Sequence, residues 1–126
     1  MARQAERTIL VVEDEADVRE LVSDVLRHEG FEVEEAQDGV QALAVLEREP
    51  APERKLCAVV LDVMLPRLDG VSLLRQLRAH GPEVPVVAMS ASEEYLLAAV
   101  TAGARGAVAK PFDIDHLVDV VRRACV

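Results

Sequence analysis

Residues Ile9-Leu10-Val11-Val12-Glu13-Asp14-Glu15 set an unbroken apolar run of four directly against three acids. A short apolar run without polar alternation suits a strand buried on both faces of a parallel sheet. Cys57 to Leu61 forms a second such run, ending at Asp62, and Val84 to Met89 a third around Pro85, ending at Ser90. Phe31-Glu32-Val33-Glu34 alternates instead, and Gly106 to Ala109 is short and weak, which marks these two as edge strands.

Helical stripes fill the intervals. Val18, Leu21, Val22, Val25 and Leu26 recur at helical spacing, with Gly30 placed to stop that helix. Asp38 and Gln41 resemble a capping box opening a second helix through Val40, Leu43 and Leu46. A third is predicted from about Val71 to Ala79, capped by Asp69 and closed by Gly81-Pro82. Ser92 followed by Glu93 and Glu94 begins a fourth that ends near Gly103, and Asp113 caps a fifth with the stripe Ile114, Leu117, Val118 and Val121. Five βα units require right-handed crossovers and a parallel sheet covered on both faces, a doubly wound α/β fold. Strand order 2-1-3-4-5 puts the two weak strands at the edges. Pro50 and Pro52 break the second helix in the connection from Glu49 to Lys55.

The chain has 126 residues and a formal net charge of −9, the size of one domain, predicted to occupy residues 8–126 after a flexible stretch at residues 1–7. Its carboxylates repel phosphate backbones and anionic lipid, so direct nucleic-acid and membrane binding are excluded as expectations. Aromatic residues are 2% of the chain, too few for base-stacking platforms. The polar N-terminus has no signal-like apolar region and no run could span a bilayer, so a cytoplasmic protein is expected. Cys57 and Cys125 stand far apart in sequence without metal-ligand spacing, and read as reduced, small apolar fillers. His28, His80 and His116 share no ligand spacing and read as structural.

In a doubly wound sheet, ligands bind beyond the carboxyl ends of the strands at the switch point between strands one and three. Those ends carry Glu13 and Asp14, Asp62, Ser90 and Lys110. Clustered carboxylates resist ionisation unless a cation compensates, and Mg²⁺, an oxygen-seeking ion that keeps open positions, is the natural one. Lys110 supplies a point charge and Ser90 a hydrogen bond for phosphoryl oxygens. Taken singly, Glu13, Asp14, Glu15 and Asp17 read as the acidic first turn of a helix, Asp62 as a turn residue, Ser90 as a cap and Lys110 as a solvated lysine. Jointly they form a site for a phosphoryl group.

From Thr8 to Cys125 the chain resembles a receiver domain of the two-component response regulator family. The resemblance rests on Ile-Leu-Val-Val-Glu13-Asp14-Glu, Val-Val-Leu-Asp62-Val-Met-Leu-Pro66-Arg-Leu-Asp69-Gly70, Val-Val-Ala-Met-Ser90-Ala and Gly-Ala-Arg-Gly-Ala-Val-Ala-Lys110-Pro111-Phe112, in that order. It implies a flavodoxin-like three-layer sandwich in which Asp62 accepts the phosphoryl group. It also implies that Asp14 and Asp62 ligate Mg²⁺ with the carbonyl of Met64, that Glu13 acts through a metal-bound water, and that Lys110 contacts the phosphoryl group. A cis peptide between Lys110 and Pro111 follows from the same likeness.

The implied partners are a sensor histidine kinase or histidine phosphotransfer protein and an output protein or domain of unknown identity, with the receiver a monomer or a phosphorylation-dependent homodimer. The receiver is not an enzyme in the ordinary sense: it promotes its own phosphorylation and dephosphorylation. The added charge is expected to draw in Ser90 and shift the face made by the fourth helix, fifth strand and fifth helix.

One departure is Ala107, where the family usually has Tyr or Phe three residues before the lysine. Either Ala107 is simply a small edge-strand residue, or Tyr95 on the fourth helix supplies the ring. A non-cycling interaction module of the same shape is the second functional reading. An FMN-binding role is disfavoured by the acidic Asp14-Glu15-Ala16 loop, and a phosphohydrolase by Val63-Met64, which leaves no second acid two residues after Asp62.

Overall fold

The computed structural model describes residues 7–47, 56–63, 72–76 and 84–125. Five strands, β1 (Thr8–Val12), β2 (Glu32–Ala36), β3 (Leu56–Asp62), β4 (Val86–Ser90) and β5 (Gly106–Ala109), form one parallel sheet of order β2-β1-β3-β4-β5. The helices are α1 (Ala16–His28), α2 (Gly39–Glu47), α3 (helical at residues 72–76), α4 (Glu93–Thr101) and α5 (Ile114–Ala124). Every residue of β1 and β4 is buried, whereas β2 and β5 are partly open, as expected of edges. The proposed cap Asp69, the closing pair Gly81-Pro82, the 49–55 connection and residues 1–6 lie outside the described residues.

The alternation of side chains along each strand sorts the core into two apolar layers. Leu10, Val12, Val59, Leu61, Val86 and Ala88 face Ala42 of α2, Leu73 and Leu74 of α3 and Ala99 of α4. Ile9, Val11, Val60, Val87, Met89 and Val108 face Val22 and Leu26 of α1 and Leu117, Val121 and Ala124 of α5. The result is the three-layer α/β sandwich expected from the sequence, with α1 and α5 on one face and α2, α3 and α4 on the other.

Local chemistry sets the element ends. Gly30, at φ 98°, and Gly103, at φ 111°, take the left-handed conformation after α1 and α4. At the first, Gly30 N–H donates to Arg27 O and Phe31 N–H to Leu26 O; at the second, Gly103 N–H donates to Val100 O and Ala104 N–H to Ala99 O. Both are Schellman closures. Phe31 is thereby committed to ending α1, which is why β2 starts at Glu32 rather than at Phe31 as its alternation had suggested.

Three caps foreseen in the sequence are made: Asp38 Oδ1 accepts from Gln41 N–H at 2.8 Å, Ser92 Oγ from Tyr95 N–H at 3.4 Å, and Asp113 Oδ1 from Asp115 N–H at 2.9 Å. Gln41 Oε1 reaches back to Gln37 N–H, one residue before the expected capping-box partner. The burial of α1 is rotated relative to its apolar stripe: Ser23 is buried while Leu21 is 47% exposed.

The cysteines correct the sequence expectation. Helix α5 runs back along the sheet, so its C-cap, Cys125, meets Cys57 at the opposite end of β3 from Asp62. The two are disulfide-bonded with Cα atoms 5.2 Å apart despite a separation of 68 residues. Spacing along the chain could not reveal a contact made by two crossovers.

Candidate phosphoryl-transfer site

The sheet register builds the site before any side chain is considered. Val12 is paired with Leu61, so the next residues, Glu13 and Asp62, lie side by side beyond adjacent strands. Glu13 N–H donates to Ala36 O at 3.1 Å and Arg19 Nη1 donates to Glu13 O at 2.8 Å, fixing the backbone where β1 turns into α1. Across the sheet, Asp62 is paired with Met89, and Val63 N–H donates to Met89 O. Lys110 N–H donates to Ser90 O at 2.9 Å, one rung past the β4–β5 ladder, which sets the lysine at the same rim. The Lys110–Pro111 peptide is cis, as the family likeness implied.

The lysine reaches back over β4 and β3. Lys110 Nζ donates to Glu13 Oε1 at 2.5 Å and to Asp62 Oδ2 at 3.0 Å, and both acceptors are buried. Burial and hydrogen bonding to Asp62 push the Glu13 carboxyl up to about 7 from its ordinary 4.5, with Lys110 pulling the other way. For Lys110, burial works against the charged form, but Glu13 and Asp62 outweigh it and hold the ammonium above its usual value of 10.5. The rim is thus a buried carboxylate pair bridged by one internal cation.

Asp14 completes the acidic set from an exposed position. Glu13, Asp14 and Asp62 each offer an oxygen within 4.8 Å of the others. An all-oxygen, partly open donor set of this kind fits a hard divalent cation that keeps water or phosphoryl ligands. Ser90 stands buried at the end of β4, its Oγ accepting from Ser92 N–H at 3.0 Å. Of the residues singled out from the sequence, Glu13, Asp62 and Lys110 are in direct contact, Asp14 joins the acidic cluster, and Ser90 shares a backbone rung with Lys110. Met64 lies outside the described residues.

Two features at this site escaped the sequence reading. Arg19, which reads as an ordinary helix-surface residue, braces the Glu13 carbonyl and pairs with Glu35 at 3.4 Å. A basic residue one turn into a helix that follows an acidic strand end is the only signal for it. Glu13 was read as part of an acidic helix turn or a metal site, yet it is fully buried and bound directly to Lys110. Tyr95 is 43% exposed on the first turn of α4, and Ala107 is half-buried in the middle of β5.

Comparison with known proteins agrees with this geometry. Residues 9–122 match the family described as the response regulator receiver domain. The chain is 42% identical over 113 residues to the probable transcriptional regulatory protein TcrX of Mycobacterium tuberculosis, covering 88% of this chain and 46% of that protein. It spans about half the length of the curated relatives it matches. The crystal structure of the receiver domain of NtrX from Brucella abortus is similar at a TM-score of 0.83 and 40% identity, covering 93% of this chain and 97% of that one. The receiver domain of a Pseudomonas aeruginosa sensor histidine kinase is similar at a TM-score of 0.82 and 32% identity, covering 94% and 96%, and holds a magnesium ion in its active-site cleft. Alike in sequence and in fold over nearly its whole length, the chain belongs to the response regulator receiver domain family, whose members serve two-component systems as phosphorylation switches.

Proposed function

We propose that Asp62 accepts a phosphoryl group from the phosphohistidine of a sensor histidine kinase or histidine phosphotransfer protein. The observation that carries this is the placement of Lys110 Nζ against Asp62 Oδ2 at 3.0 Å, beside an acidic set that fits Mg²⁺. Asp14 and Asp62 would hold the ion with the Met64 carbonyl, and Glu13 would contribute through water. When bound, Mg²⁺ supplies charge neutralisation for the transferred phosphoryl oxygens.

An Asp62 carboxylate oxygen attacks phosphorus in line, the O–P bond forms as the P–N bond breaks, and the imidazole leaves with the electron pair and takes a proton. Lys110 transfers its hydrogen bond from the Asp62 carboxylate to a phosphoryl oxygen. Ser90 donates its hydroxyl to another once it releases Ser92 N–H. Water later attacks phosphorus, its O–P bond forms as the Asp62 O–P bond breaks, and inorganic phosphate leaves with the Asp62 carboxylate restored, so the receiver promotes both halves of its cycle.

Phosphorylation places a group of roughly −1.5 to −2 charge beside buried Glu13 where the Asp62 carboxylate carried one negative charge, and the response is a two-state shift of the α4–β5–α5 face. Exposed apolar side chains of α4, Leu97 at 69% and Val100 at 48%, support use of this helix by an output domain, a partner or a second receiver. The test is incubation with a small acyl phosphodonor and Mg²⁺. A single hydroxylamine-labile phosphoryl group is expected on Asp62, absent in Asp62→Ala. Label that persists in Asp62→Ala rejects the assignment, and an unlabelled native chain favours the non-cycling interaction module.

A further inference from the structure

We propose that Cys57 and Cys125 form a reversible thiol–disulfide site that fastens the C-terminal end of α5 to the start of β3. Both cysteines lie at the opposite end of the sheet from the phosphoryl site. Cys57 is the second residue of β3 and Cys125 the C-cap of α5, and their Cα separation of 5.2 Å lies within the span a disulfide bridges without backbone movement. The fold holds both backbones: β3 is a central strand between β1 and β4, and α5 is pinned through Leu117, Val121 and Ala124. The meeting therefore does not depend on the bond.

Two guanidinium groups converge on the same corner. Arg7 Nη1 donates to Cys125 O at 3.5 Å and Arg105 Nη1 to Ala124 O at 3.4 Å. They place positive charge where the exposed carbonyls of a helix C-terminus would otherwise oppose a thiolate. Both cysteines are half-buried rather than sealed in the core, so small oxidants and reductants can reach them.

The chemistry closes with a peroxide as oxidant. One thiolate attacks a peroxide oxygen, giving a sulfenic acid and hydroxide, which is protonated to water. The second thiolate attacks the sulfenic sulfur; the S–S bond forms as S–O breaks, and the oxygen leaves as a second water. Two thiols are oxidised, one peroxide is reduced, and a dithiol reductant reverses the bond by exchange.

The consequence concerns α5. Its first residue, Ile114, follows Lys110 by four positions, and its last turn ends at the bridge, so oxidation ties down the far end of the helix that leads away from the phosphoryl site.

The test treats the fully reduced chain with hydrogen peroxide under native conditions. Intact mass is expected to show the loss of two hydrogens in a monomer, with both cysteines protected from alkylation, their peptides linked in a digest, and both thiols restored by dithiothreitol. Hydrogen exchange across residues 114–124 is expected to be slower in the oxidised chain, and Cys57→Ser and Cys125→Ser, checked for folding by circular dichroism, are expected to lose that redox difference. Two alkylatable thiols after oxidation, linkage only between chains, or oxidation that dithiothreitol does not reverse would overturn the site. Equal α5 exchange in both redox states would overturn the fastening.

Discussion

Lys110 Nζ stands 2.5 Å from Glu13 Oε1 and 3.0 Å from Asp62 Oδ2, so the ammonium sits nearer to Glu13 than to the proposed phosphoryl acceptor. Lys110 is a cation that both buried acids share, and a divalent ion entering beside it meets a like charge. Lys110→Met is expected to tighten Mg²⁺ binding several-fold by removing that repulsion. The same variant is expected to slow phosphorylation from a small phosphodonor by about 100-fold, because the transferred oxygens lose their ammonium partner. Isothermal titration and a phosphorylation time course read the two effects separately. Unchanged rates would show that Lys110 is a structural counterion only.

Glu13 makes the stability of the chain depend on pH in a direction opposite to that of a carboxylate whose ion pair holds its pKa down. Its proton is held up to about pH 7 in the folded state, against 4.5 ordinarily, so between those values the folded chain binds more protons than the unfolded one. This contribution is fully present below about pH 4.5, declines as pH rises and is lost above about 7, with a size on the order of 2 kcal/mol. Urea denaturation in chelator, comparing the chain with Glu13→Gln, isolates the contribution of this one carboxyl. The difference between the two chains is expected to change across pH 5 to 7; a constant difference would remove Glu13 from the account.

Gly106 is chosen by contact with α5. A Cβ built there would sit 2.7 Å from Val120 Cγ1, and a valine in a helix has few rotamers to retreat to. Gly106→Ala is expected to cost about 1–3 kcal/mol. Gly106→Ala combined with Val120→Ala is expected to lose less than the sum of the two single changes, a coupling measurable by a double-mutant cycle.

Ser23 is a place where the chain carries a stability deficit. Among the described residues its Oγ is the buried side-chain oxygen without a hydrogen-bond partner, in the middle of α1. Ser23→Ala removes the unsatisfied group and raises helix propensity, and is expected to stabilise the fold by about 1 kcal/mol, raising the thermal midpoint. A loss of stability would mean that the hydroxyl is satisfied in solution by water.

Strand order, layers and caps were legible because they rest on local signals. Asp62 and Ser90 end their strands as the sequence suggests, Glu13 and Lys110 each follow the last strand residue, Val12 and Ala109, by one position, and one topological rule sends those ends to a common rim. Less legible was anything decided by side-chain reach or by a rotation of the helix. Leu21 lay on the apolar stripe of α1 but is exposed, while Ser23 went inward, because the packed face centres on Val22 and Leu26. The Lys110–Glu13 contact spans three strands, and the Cys57–Cys125 contact depends on where α5 ends against the sheet; neither leaves a mark in residue spacing.

The rung from Lys110 N–H to Ser90 O, at 2.9 Å, makes these two residues a single mechanical link. On the proposed function, the serine that turns toward a phosphoryl group on Asp62 and the lysine that contacts the same group share this backbone bond, so a movement at the end of β4 is transmitted to the residue after β5. The proposed switch would then be expected to move both strand ends together, through a link made by backbone and so independent of the side chain at Ala107.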